Sequence, residues 1–122
     1  MVAYLWLALP QLPMIVIFSN RELEQVYRDG QENGKPRYPA GVVKSFVAKV
    51  NLLAQATDTR QLYQFRSLNF EAFKGDLAGL HSIRVNRQYR IVFRLTDGEG
   101  ESEKGVPVRI EIIDIHHLAD YH

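Results

Sequence analysis

The chain has 122 residues, of which 46% are apolar and 24% charged, and it contains no cysteine. That is the length of one domain and a globular composition, with enough core to need neither a disulfide nor a structural metal. Without cysteine there is no thiol nucleophile, Cys-ligated zinc or iron–sulfur cluster, and a net charge of +1 from 15 basic and 14 acidic residues does not by itself point to nucleic acid.

Residues 1–13, MVAYLWLALPQLP, are apolar with no Lys or Arg. They lack the basic start and cleavage site of a secretory signal, and Pro10 and Pro13 break them well short of the roughly 20 residues of a membrane span. The stretch is read either as an extension preceding a start at Met14 or as a short hydrophobic arm; the domain proper is 14–122. A strand is expected over 14–18. Ser19 and Glu22 have the spacing of a capping box, opening a helix to about Tyr27 that ends near Gly30. After a polar loop at 31–37, apolar residues recurring at three and four from Val43 to Ala54 predict a helix over 40–56. Asp58 and Gln61 repeat the capping spacing for one further turn.

From 69 onward the apolar period is two, and strands are expected at about 69–74, 80–86, 88–96 and 107–115. Residues 97–105 are read as a solvated hairpin loop, since the acidic Asp97, Glu99, Glu101 and Glu103 would repel a phosphate. The even charge balance conceals a basic segment: Arg60, Arg66, Lys74, Arg84, Arg87, Arg90 and Arg94 face only Glu71 and Asp76 between 60 and 94. A three-residue turn at 86–88 keeps Val85 opposite Tyr89, whereas a two-residue turn would set Ile83 beside Arg90. The apolar pattern therefore selects the odd turn, which places Arg84 opposite Arg90. Two adjacent guanidinium groups are costly unless compensated. Either solvent and the carboxylates of Glu71, Asp76 or Glu111 serve them, or a phosphate does, bound bidentately.

The motifs F-K-G-D at 73–76, S-I-R-V-N at 82–86 and Y-R-I-V-F at 89–93, in this order and spacing, resemble those of HigB-type toxins of the RelE/ParE superfamily. The resemblance implies an α+β fold, β-α-α-β-β-β-β, with two helices packed on a twisted, mainly antiparallel sheet. It also implies the toxin of a type II toxin–antitoxin pair: a cytoplasmic endoribonuclease that cuts mRNA on the translating ribosome and is neutralised by a helix-turn-helix antitoxin. No metal, small-molecule cofactor or membrane is implied. Lys74 and Arg90 match the family's lysine and arginine, and Arg84 lies in the matching strand. Glu71 stands where some relatives carry histidine. For the family's C-terminal D-Y-H the chain offers Asp114-Ile115-His116, without the tyrosine, and Asp120-Tyr121-His122, which requires the tail to fold back.

Metal-free cleavage of RNA needs a base at the 2′-hydroxyl, positive charge on the phosphate and a proton for the leaving oxygen. Arg84 and Arg90 are the charge; Lys74, Tyr121 or Glu71 is the base; His116, His117 or His122 is the acid. Arg66, Arg87 and Arg94 are further RNA contacts. Zinc at His116, His117, His122 and Asp114 is disfavoured because neighbouring strand residues face opposite ways. Tyr63, Phe65, Phe70 and Phe73 either stack on bases or pack against the body, and His81 is read as a packed strand residue. Two rival functions remain: a ParE-like gyrase inhibitor, which needs no catalytic group, and an inactive antitoxin-binding homologue.

Overall fold

The period-two half of the chain builds a five-stranded sheet, and the helical half covers one of its faces. The computed structural model describes residues 14–75, 79–101, 104–105 and 107–120. Residues 1–13, Asp76, Tyr121 and His122, each singled out above, lie outside the described residues. Strand β1 (Ile15–Phe18) leads into α1 (Arg21–Asp29), α2 (Val42–Gln55), α3 (Thr59–Gln64) and a 3-10 turn (Arg66–Leu68). Strands β2 (Glu71–Ala72), β3 (Leu80–Arg84), β4 (Tyr89–Glu101) and β5 (Pro107–Asp120) follow. The sheet order is β1-β5-β4-β3-β2, with β1 parallel to β5 and the other pairs antiparallel. The expected α+β class and element order are observed, with α3 as a third helix.

Local chemistry accounts for the boundaries, some of which differ from expectation. The cap of α1 is Asn20, whose side chain accepts the Leu23 N–H at 3.1 Å. Ser19, expected as the cap, turns its hydroxyl to Asp114. Gly30 ends the helix at φ 71, a conformation open to glycine. Asp58 accepts the Gln61 N–H at 3.0 Å, so the second capping signal does start α3. Strand β2 is shorter than expected because Asn69 (φ 48) and Gly75 (φ 67) leave extended geometry on either side of it. Strands β4 and β5 instead outrun expectation, pairing as far as Glu101 with Pro107. Residues 97–101, read as loop, are therefore strand, and so are 116–120.

The main core comes from one sheet face and the helices on it, while Ser82, Arg90 and Val92 are buried on the other face. Phe46, Leu53, Leu62, Leu68, Ile83, Ile91, Phe93, Ile113 and Ile115 are all fully enclosed. Val42, Phe46, Val50 and Leu53 are the buried stripe of α2, at the three-and-four spacing that puts them on one side. Alternate residues face away from the helices: Ile15, Ile17, Arg84 and Arg94 are exposed there. Among the described residues no helix is long and apolar enough to cross a membrane.

Candidate active site on the open sheet face

Strand register lays the face away from the helices out in rows. Arg84, Arg90 and Ala119 are successive partners across β3, β4 and β5. The next row is Glu71, Ser82, Val92 and His117, and beyond it come Leu80, Arg94, Asp114 and Ile17. The odd turn is observed: Val85 N–H donates to the Tyr89 carbonyl at 2.9 Å, and Arg84 stands opposite Arg90. Asn86 fixes the turn, accepting from the N–H groups of Gln88 at 2.9 Å and Tyr89 at 2.7 Å.

The two arginines share a row but not an environment. Arg84 is exposed, while Arg90 is 9% exposed. Arg90 Nε donates to Ser82 Oγ at 2.8 Å, and Nη2 donates to the Asn69 carbonyl and, at 3.3 Å, to the Ser82 carbonyl. Its carboxylate neighbour is Glu71, 3.9 Å away with a side chain 60% exposed. Uncharged acceptors at Ser82 and Asn69 thus orient the guanidinium, with the Glu71 carboxylate at ion-pair distance. Of the other suggested partners, Glu111 is excluded. It is buried on the helix side, where its carboxylate accepts the Thr59 N–H at 3.1 Å.

At the β5 end of the face the ladder carries a bulge. Val92 pairs with His117 but Phe93 pairs with Ile115, so His116 is an extra residue. The shift returns Leu118 to the core and leaves both histidines on the open face, ring centroids 6.1 Å apart. The expectation that His116 and His117 face opposite ways is therefore corrected, and the objection to zinc built on it falls. Among the described residues, however, no group of three or more His, Asp or Glu is placed to hold a metal ion. His116 Nε2 lies 3.4 Å from Asp114 Oδ2, within ion-pair reach for a protonated ring but not in hydrogen-bond geometry.

The corner between β1 and α1 braces this bulge. Ser19 Oγ donates to the Asp114 carboxylate at 2.6 and 2.8 Å, and Ser19 N–H donates to the Ile115 carbonyl at 3.0 Å. Asn20 Nδ2 donates to the His116 carbonyl at 3.1 Å, while its oxygen caps α1. One side chain fastens the helix and the bulge together.

The remaining candidates divide. Ile115 is buried in the core and cannot stand in for a reactive phenol, so Asp114-Ile115-His116 supplies a histidine only. Strand β5 continues past its bulge to Asp120, which stands opposite Tyr89 and one residue from Arg90. Lys74 is exposed two residues beyond β2, where strand alternation no longer fixes its side. Arg87 is exposed in the turn, Arg94 is exposed on the face beside Gly79, and Arg66 is exposed on the 3-10 turn. Sequence reasoning missed Ser82 and Asn69 as the residues that hold Arg90. Ser82 was within reach of it, since two residues from Arg84 on a strand means the same face. The Asn69 carbonyl carried no such signal.

Fold and face together describe a small α+β domain whose sheet is covered on one side and presents arginine and histidine on the other. The family described as the RelE-like toxin of the type II toxin–antitoxin system HigB matches residues 16–104. Toxin HigB-1 of Vibrio cholerae serotype O1 is 33% identical over 85 residues, which are 70% of this chain and 87% of that protein. The chain belongs to the HigB-like toxins of type II toxin–antitoxin systems. It is also similar to the solved YoeB/ParE toxin of Agrobacterium tumefaciens, at 18% identity and TM-score 0.49 over 89% of this chain and 100% of that one. The YoeB–YefM complex of Staphylococcus aureus is similar at 22% identity and TM-score 0.43, over 91% and 99% of the respective chains.

Proposed function

We propose that this toxin is a metal-independent endoribonuclease that cuts mRNA on the ribosome in the cytoplasm and is neutralised by a helix-turn-helix antitoxin. The observation that carries the reading is the cross-strand pair Arg84–Arg90 on the sheet face away from the helices, Arg84 exposed to a phosphate and Arg90 held in place by Ser82 and Asn69. Positive charge on the scissile phosphate offsets the charge that builds up in the transition state.

The reaction is attack of the 2′-oxygen on phosphorus with departure of the 5′-oxygen, leaving a cyclic phosphate and a free 5′-hydroxyl. Arg84 and Arg90 hold the phosphate. Glu71 and His117 stand at opposite ends of the row beside the arginines. Reaching inward from β2 and β5, the two side chains would set a base on one side of the phosphate and an acid on the other. His116, braced through Asp114, is a second donor, and Lys74, Tyr121 and His122 are assigned supporting roles. Arg66, Arg87 and Arg94 extend the contact to flanking phosphates.

Brief induction followed by mapping of transcript ends tests the reading. New 5′-hydroxyl ends confined to translated regions are expected. Intact transcripts with arrested DNA supercoiling would instead identify a gyrase inhibitor, and intact transcripts with normal supercoiling an inactive homologue.

A further inference from the structure

At the sheet edge, toward the helix side and joined to Arg90 only through Asn69, residues 63–70 form a cleft that the catalytic reading does not use. It has a volume of about 310 Å³ and is lined by Tyr63, Phe65, Arg66, Asn69 and Phe70. That is the lower end of the range for small-ligand sites, about 300–1,000 Å³. Its two main walls are aromatic: Tyr63 and Phe70 meet at 69° with centroids 4.6 Å apart. Phe70 is backed by His81 at 5.4 Å and the buried Phe93 at 6.1 Å, both nearly parallel to it. Tyr63 is 62% exposed, whereas its neighbour Leu62 is fully buried and anchors α3. The fold thus gains little from an aromatic at 63, yet one wall of the cleft is made of it.

Asn69 links this cleft to the arginines. It is the one non-glycine residue at positive φ among the described residues, a conformation held at a cost. That conformation lets its carbonyl accept from Arg90 Nη2 while the residue itself lines the cleft. Its exposed side-chain amide offers a donor and an acceptor, and Arg66 adds a positive charge at the same wall. A flat, polar-edged ring on an anionic chain is the ligand these features fit: an aromatic wall takes its face, an amide its edge and a guanidinium the phosphate.

We propose that the Tyr63–Phe70 cleft binds one unpaired base of a message that turns over the sheet edge at Asn69 from the linkage held by Arg84 and Arg90. The proposal rests on the endoribonuclease reading and deepens it. In it, Tyr63 touches substrate, and Asn69 couples base binding to the orientation of Arg90.

The test compares wild type, Tyr63→Ala and Tyr63→Trp in cleavage of ribosome-bound message, with an abasic nucleotide placed in turn at each position flanking the cut. Tyr63→Ala should lower the melting temperature by only a few degrees, for its lost edge contact with Phe70, and lose about tenfold in kcat/KM, within the roughly 5- to 150-fold span of base-stacking aromatics. Tyr63→Trp should retain activity. One abasic position should lower wild-type cleavage to the level of Tyr63→Ala while costing that variant nothing further. If wild type cleaves and Tyr63→Ala cleaves equally well, the cleft proposal falls alone. A Tyr63→Ala defect undiminished on every abasic message removes the message base as the occupant. A defect confined to antitoxin affinity makes the cleft a protein-docking site and overturns the proposal. No cleavage by wild type overturns the endoribonuclease reading and the cleft together.

Discussion

Substituting alanine at Arg90 and at Arg84 should give opposite kinds of damage, although the two residues are cross-strand partners. Arg90→Ala strips a charged donor from Ser82 Oγ, in a residue 1% exposed, and from the Asn69 carbonyl. Hydrogen bonds to charged groups are worth about 1.5–3 kcal/mol each. Relief of the cost of burying the guanidinium offsets part of two such losses, leaving a net penalty of about 2–3 kcal/mol. In a domain of this size that lowers the melting temperature by roughly 10 °C. Arg84 is exposed, so Arg84→Ala should stay within about 0.5 kcal/mol, or roughly 2 °C. Thermal melts of the purified variants decide the matter, with Arg90→Lys as a control that keeps the charge but loses the planar fork. Equal melting temperatures for Arg90→Ala and wild type would refute the idea that Ser82 and Asn69 clamp the guanidinium. Inactivity of Arg90→Ala alone is weak support for catalysis, whereas inactivity of a stable Arg84→Ala is strong.

Two further expectations concern the braces. Burial holds the His81 pKa below its ordinary 6.5, so below about pH 6.5 the unfolded chain takes up the proton first and stability falls with pH until the folded pKa is reached. His81→Phe keeps the ring stack and removes that proton, so between about pH 7.5 and pH 5 its melting temperature should fall less than that of wild type; equal slopes would contradict the account. Asn20→Asp keeps an oxygen to cap α1 but loses the donor to the His116 carbonyl. It should melt within about 1 kcal/mol of wild type yet cleave message more slowly, and Asn20→Ala should add a cap loss of about 1 kcal/mol. Full cleavage by Asn20→Asp would show that the bulge needs no brace.

What the sequence made legible followed from periodicity and turn chemistry. Strict alternation around 83–93 fixed the three-residue turn and with it the Arg84–Arg90 pairing. The spacing of Asp58 and Gln61 located the start of α3. The bulge at His116 was hidden because an extra residue breaks the alternation on which strand reading depends. The step from Ile115 to Leu118 looked like the end of a strand, when the strand in fact continues to Asp120. The cap of α1 was misplaced by one residue because Ser19 and Asn20 are both good caps, and a contact 95 residues away, with Asp114, claims the serine. Burial of Arg90 was equally unreadable, since it depends on a backbone carbonyl at Asn69 and on the positive φ that aims it. Local pattern carried the register of the site, while long-range contacts decided which of its two arginines is free.

The most direct measurement is single-turnover cleavage of a defined message on purified ribosomes, without added divalent metal beyond what the ribosomes retain, by wild type and Arg84→Ala. The account predicts cuts with 5′-hydroxyl ends from wild type and a loss of at least about a hundredfold with Arg84→Ala, near the lower end for removing a group that stabilises a developing charge. Undiminished cleavage by a folded Arg84→Ala would contradict the central claim that the open-face arginine pair is where the RNA linkage breaks.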